Sequence, residues 1–404
     1  MTRAIAWLTI SRIGAGMAFM AWASALPWIL SEWRLPAAQA GWVQTSFNLA
    51  YAASLLTSGW LSDRFGAAVV LRTSSWASVV LLGLCAAFAR DFGSALVLFS
   101  LLALGLGGSY APALMLASAD PARRGLAVGW VLTGASVGYV LIIAVSGAAY
   151  PAFGVGGGWL TLLWALSGSA VCAELALRGW TGTSRSPRTV PGPSLKALRA
   201  AVTSRTSILL TTGYALHCWE LLGMWAWTPT FLSFVLARHG LEPLAIGLLA
   251  ALSIHLSGAV STLAGGWASD RYGRRSVLVG VGIAGAVCSF GFGWLGQAGA
   301  ATAVCAAALY GGLVLADSGV LTAAMADAVP EPLLGRMLAL RSLVGFGLGA
   351  LSPAVVGVVL DAAGRSPSGV GWGLGFSVLG LGGLGAAICA RALPRSRSAQ
   401  TIGS

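Results

Sequence analysis

The chain has 404 residues, 57% of them hydrophobic and only 9% charged, and a net charge of +12 at pH 7. Its mean hydropathy of +0.83 excludes a soluble domain of this length. It also leaves the basic balance no soluble face on which to meet nucleic acid, so an all-α polytopic membrane protein is expected.

In chain order, apolar runs of about 20 residues, the length a helix needs to cross a bilayer, fall near 4–30, 41–62, 69–89, 93–118, 126–150, 157–179, 207–236, 245–268, 276–296, 299–325, 337–360 and 369–390. Twelve transmembrane helices follow. The first run has Arg3 before it and Ala23-Ser24-Ala25 inside it, in the manner of a cleavable signal. Arg12 in its middle and eleven further spans argue for a retained helix instead. Six cysteines (Cys85, Cys172, Cys218, Cys288, Cys305, Cys389) fall inside the runs without metal-finger spacing and read as small packed residues. No metal site and no cofactor is expected.

Between the sixth and seventh runs lies a polar, proline-containing stretch with five basic residues and no acidic one. It divides the chain into 1–180, a linker 181–206, and 207–404. Ser194 to Ser204 has the composition of a short basic helix on an anionic leaflet. With both termini in the cytoplasm, 18 Lys and Arg lie inside and only Arg34, Arg90, Arg238 and Arg365 lie outside. That bias is the positive-inside rule, and it places the chain in the cytoplasmic (inner) membrane.

One motif occurs twice. Gly59-Trp60-Leu61-Ser62-Asp63-Arg64-Phe65-Gly66 returns as Gly266-Trp267-Ala268-Ser269-Asp270-Arg271-Tyr272-Gly273, 207 residues later, and Ala119-Asp120 returns as Ala326-Asp327 at the same offset. A signature copied at half the chain length marks two versions of one unit. Its glycines permit a tight, hydrated hairpin while Asp63, Arg64, Asp270 and Arg271 stay in water or pair with a neighbour.

Together the copies resemble the cytoplasmic loop motif of the major facilitator superfamily, which joins the second to third and eighth to ninth helices. The resemblance covers nearly the whole chain and implies two pseudo-symmetric six-helix bundles that rock about a site near the midplane. It also has departures. The first copy continues with Ala67-Ala68 where the second has Arg274-Arg275. The fourth span, with Gly105, Gly107 and Gly108, lacks the arginine of many proton-coupled members, and the fifth, with Gly134 and Gly138, lacks the Gly-Pro pair of drug/proton antiporters.

Ionisable residues inside spans each cost roughly 2.5–3.5 kcal/mol at the helix centre on insertion scales and need a partner or a wet cavity. The chain offers Arg12, His217, Glu220, His255, Asp317 and Arg341. His217, Glu220 and Met224 share a helical face. The family architecture implied by the resemblance puts spans one, four, seven and ten around the cavity, with Arg12, Tyr110, Glu220 and Asp317 as lining residues.

Glu220 is the expected proton-coupling carboxylate, tuned by His217 or Arg12. The competing reading is a permanent structural pair, Glu220 with Arg12 or Asp317 with Arg341. Arg12 and Arg341 also suit an organic anion, because Arg presents a rigid fork to carboxylate or phosphate. The expectation is a monomeric secondary transporter in the lipid bilayer, moving a small-molecule solute by alternating access with protons. It is not an enzyme and has no GxxxxGK[ST] loop for primary pumping. A multidrug or metabolite exporter, and a non-transporting receptor or assembly factor with the same fold, are the alternatives.

Overall fold

The computed structural model describes residues 3–118, 124–178, 195–366 and 370–394. The N-terminal spans are α1 (Arg3–Glu32), α2 (Ala37–Phe65), α3 (Ala67–Phe88) and α4 (Phe92–Ala117). The stretch Arg124–Arg178 holds two more, α5 (124–153) and α6 (155–178), which part at Gly154 with φ 67° and ψ 178°. The C-terminal spans are α7 (Arg205–Ala237), α8 (Pro243–Tyr272), α9 (Arg274–Gln297), α10 (Ala300–Ala328), α11 (Glu331–Ala363) and α12 (Val370–Arg391).

Nine helical stretches among the described residues are long and apolar enough to cross a membrane, and the longest contains both α5 and α6. Helices α2 and α7 complete the twelve and are less uniformly apolar. They turn Gln44, Thr45 and Asn48, or His217, Glu220 and Thr228, into the interior. Large apolar side chains such as Trp164, Leu263, Val287 and Ile388 face outward, as a hydrocarbon solvent requires. Cys85 and Cys218 are buried, whereas Cys305 lies on the outer surface.

The repeated motif is mostly helical. Gly59 to Phe65 finish α2, and the reversal into α3 is made by Gly66 alone, at φ 88°; Gly273 does the same between α8 and α9, at φ 85°. Positive φ at this ψ is open to glycine at little cost and to few other residues. In the second copy Arg274 reaches Asp270 (2.5 Å) and Asp327 (3.1 Å). Ala67 stands at the matching place in the first copy, and the ion pair nearby joins Arg72 to Glu174 at 2.6 Å.

Several spans are broken along their length. α1 bends at Met20, α10 bends at Asp317 (φ −88°, ψ −16°), and α8 widens into a π turn over Leu252–Leu256. Such turns free backbone groups and redirect side chains.

Packing between the halves is concentrated away from the termini. One apolar core runs through both halves from mid-depth to the end opposite the termini. At the terminal end each half has its own core, one around Leu8, Leu71 and Leu116 and the other around Leu278, Met325 and Met337. Glycines permit the close crossings: Gly41 meets Pro353, Gly357 meets Ala37, Gly147 meets Pro243 and Gly247 meets Ile143. A carboxylate fastens the far end, where Asp361 of α11 accepts the backbone N–H groups of Ala37 (2.9 Å) and Ala38 (2.8 Å) at the start of α2. Arg365 donates to the Leu35 carbonyl (3.0 Å) and lies 3.7 Å from Asp361.

Asp120 and residues 181–194 lie outside the described residues. A short helix, Leu195–Thr203, then leads into α7.

Candidate transport site

The ionisable residues of the spans are all buried: Arg12, His217, Glu220, His255, Asp317 and Arg341 are each at most 6% exposed, and Tyr110 is half-buried. They form three groups, and neither pair anticipated from the sequence is present. Among the described residues no carboxylate lies within 4.0 Å of Arg12 or Arg341.

Arg12 belongs to α1 and is held by neutral groups. Its Nη1 donates to Ser109 Oγ (3.3 Å), and its guanidinium lies 5.2 Å from the centre of the Tyr110 ring. Tyr51 of α2 stands beside it. Arg341 of α11 has the same kind of setting in the other half. It stacks 4.0 Å over Tyr214 of α7 and donates from Nη2 to Thr322 Oγ1 (3.1 Å), leaving buried Nε and Nη1 without a hydrogen-bond partner. Tyr110 and Tyr214 lie within electrostatic range of one another. Each arginine thus lies over a tyrosine of its own half, Arg12 over Tyr110 and Arg341 over Tyr214, with the ring's negative face toward the cation.

Asp317 is taken by His217. The His217 Nδ1 lies 2.9 Å from Asp317 Oδ1, an ion pair when the ring carries both protons, although its angle falls outside hydrogen-bond geometry. The other ring nitrogen is 3.1 Å from Ser318 Oγ. The break in α10 at Asp317 aims that carboxylate back at α7.

Glu220 points elsewhere, into the C-terminal half between α7, α9 and α12. Gly383 backs its Oε2, and the Ser289 and Tyr310 hydroxyls, 2.8 Å apart, flank the carboxylate. Its Oε1 is buried without a hydrogen bond, and the Asp317 carboxylate acts on it electrostatically. Arg12 is not its partner.

His255 sits in the π turn of α8 as the third group. Its ring packs 5.6 Å from Tyr139 of α5 and 5.8 Å from Trp225 of α7, joining the halves at mid-depth. His255 Nε2 and Trp225 Nε1 are buried without partners.

Gln44, Asn48 and Tyr51, absent from the residues expected above, line one buried face of α2, with Gln44 Nε2 donating to Asn48 Oδ1 at 3.0 Å. Their spacing of four and then three residues in an otherwise apolar run was the available signal. Tyr139 and Tyr214 gave none, because a tyrosine in a span is ordinary.

Two groups of observations, a twelve-helix fold of two matched halves and ionisable side chains buried inside the spans, point to the membrane transporter class. The Major Facilitator Superfamily profile matches residues 8–343, and the chain belongs to that family. It is 27% identical over 264 residues to the "Probable 4-methylmuconolactone transporter" of Cupriavidus pinatubonensis, covering 63% of this chain and 59% of that one. It is 31% identical over 142 residues to the "Multidrug export protein EmrB" of Haemophilus influenzae, covering 34% of this chain and 25% of that one. The matched region thus spans less than two thirds of these relatives' lengths.

In fold the chain is similar to the nucleoside transporter NupG (D323A mutant), with a TM-score of 0.77 at 13% identity, covering 96% of this chain and 99% of that one. The D-xylose-proton symporter follows at 0.72 and 14%, covering 94% and 96%. A bacterial homolog of the lysosomal transporter Spinster, in an inward-facing and unoccupied conformation, gives 0.71 and 18%, covering 96% and 94%.

Proposed function

We propose that the chain carries a small organic anion across the cytoplasmic membrane by alternating access, coupled to protons and working as a monomer. The two moving bodies are residues 1–180 and 207–404, linked by 181–206. The observation that carries this reading is the pair Arg12 and Arg341, one from each half, buried with no carboxylate partner among the described residues and lying over tyrosines. Buried charge is retained where something compensates it, and an anionic solute supplies what these arginines lack. The relative described as a probable 4-methylmuconolactone transporter and the D-xylose-proton symporter support solute transport as the class of activity.

With both termini in the cytoplasm, the end where the halves meet is the periplasmic one, and the arrangement is inward-facing. Glu220 is the proposed proton carrier. An isolated ionised carboxylate is costly to bury, so an acid flanked by hydroxyls and lacking a cation is suited to take up a proton on one side and release it on the other. Asp317 and His217 are close enough to couple to it.

The test is flux in proteoliposomes across a panel of organic anions, sugars and uncharged drugs. Anion-driven proton movement that disappears in Arg12→Gln and Arg341→Gln is expected. Flux of uncharged drugs alone would overturn the anion reading in favour of an exporter, and an absence of solute-driven flux and conformational change would favour a receptor or assembly factor.

A further inference from the structure

Near the end where the halves meet, a cavity of about 280 Å³ lies between α1, α5, α7 and α8. Its walls come from both halves, with Trp28 of α1 facing in from one and Phe234 of α7 from the other. Among the described residues no ionisable side chain lines it. Its polar side chains are four serines and the indole of Trp28; each serine hydroxyl reaches a carbonyl of its own helix, and Ser24 Oγ also lies 3.5 Å from Tyr150 Oη. Ser24 donates to Ala21 O (3.2 Å), Ser31 to Trp28 O (3.0 Å), Ser146 to Ile143 O (2.6 Å) and Ser233 to Pro229 O (2.8 Å). What remains is mainly the lone pairs of the four serine oxygens, which accept, beside the single N–H donor of Trp28.

The Tyr139, Trp225 and His255 rings lie toward mid-depth on the same helices. Tyr139 is four residues from Ile143 and Trp225 four from Pro229, so each shares a helix face with a lining residue. The arginine and carboxylate groups are absent from the lining, so the cavity is separate from the proposed anion site.

We propose that this cavity is a binding site for an uncharged, flat, apolar molecule that carries a hydrogen-bond donor, and that its occupant holds the transporter in the present arrangement. An engineered apolar cavity of about 150 Å³ holds benzene, and one nearly twice as large suits a two-ring molecule. Aromatic walls supply stacking, serine oxygens receive the donor, and the missing cation excludes an anion of equal size. Because both halves form the walls, the site exists only while their far ends meet. A ligand with affinity for one arrangement alone shifts the population toward it. The occupant is therefore an inhibitor whose action does not depend on the identity of the transported solute.

The probe is indole, uncharged and with a single N–H donor. Binding is measured by equilibrium dialysis on the full chain in nanodiscs, with empty nanodiscs subtracted. Saturable binding to the wild type is expected. It should fall at least about tenfold in Ser146→Leu and in Ser233→Leu, which fill the cavity from opposite halves. Benzoate, of similar size but charged, should not compete.

Two further measurements guard against variants that misfold. Ser146→Ala with Ser233→Ala keeps the cavity but removes two acceptors, and should weaken indole more than 1-methylindole, which has no donor. Asp361→Ala touches no lining residue but loosens the far end, and should weaken indole several-fold. Absence of saturable binding, or binding indifferent to both leucine variants when they elute and melt as the wild type does, would overturn the proposal. So would equal weakening of indole and 1-methylindole in the alanine pair.

Discussion

Arg341 is held by one hydroxyl and one aromatic face, so most of the five N–H donors of its guanidinium remain unspent. A charge-assisted hydrogen bond contributes about 1.5–3 kcal/mol, and Arg341→Gln should therefore raise the solute's Kd roughly 10- to 100-fold. Arg341→Lys keeps the charge but loses the planar fork and the stack on Tyr214, and should recover only part of that affinity. Isothermal titration of the two variants beside the wild type checks the ordering. Glu220→Gln tests the other half of the chemistry. It preserves shape beside Ser289 and Tyr310, so solute exchange should continue while solute-driven proton movement stops; movement unchanged in the variant would shift coupling to Asp317. These side chains were legible in the sequence because an ionisable group in an apolar run is conspicuous. Their partners were not. Two arginines, two acids and two histidines admit several pairings, and only the rotation of each helix selects His217 for Asp317 and turns Glu220 toward Gly383.

The helices themselves were read more securely, since hydropathy fixes their number and their ends to within several residues. What the apolar pattern does not show is their internal breaks at Met20, Asp317 and Leu252–Leu256, none of which has a proline at the break. The motif was visible by repetition, yet its turn is one glycine long, with the rest of the signature wound into the end of a helix. Gly66→Ala should cost about 1–3 kcal/mol from its positive φ, seen as a lower midpoint in thermal unfolding. At the opposite end, Asp361 caps α2 from the other half of the molecule. Replacing a cap by alanine typically costs about 1 kcal/mol, so Asp361→Ala should shift the ratio of the two arrangements by about fivefold toward the one open at that end. Spin-label distances between Arg34→Cys and Arg238→Cys, one position in each half, would show the longer separation gaining weight. Gly147→Leu should act in the same direction, because its side chain would strike the Pro243 carbonyl.

Across the whole molecule the two halves match in architecture and differ in fastening. The second motif copy is stapled by Arg274 to Asp270 and Asp327, while the first has alanine in that place. The far end is tight where α2 crosses α11 and hollow among α1, α5, α7 and α8. The doubled sequence made the two-part plan legible, but the arrangement in which the halves rest depends on contacts between residues more than 300 positions apart, such as Ala37 and Asp361. That contact also keeps time. In the proposed cycle the Asp361 carboxylate covers the Ala37 and Ala38 amides while the far end is shut, and opening exposes them to deuterium. Their exchange rate would report how readily that end opens, rising when a transported solute drives the cycle and slowing when the molecule is arrested.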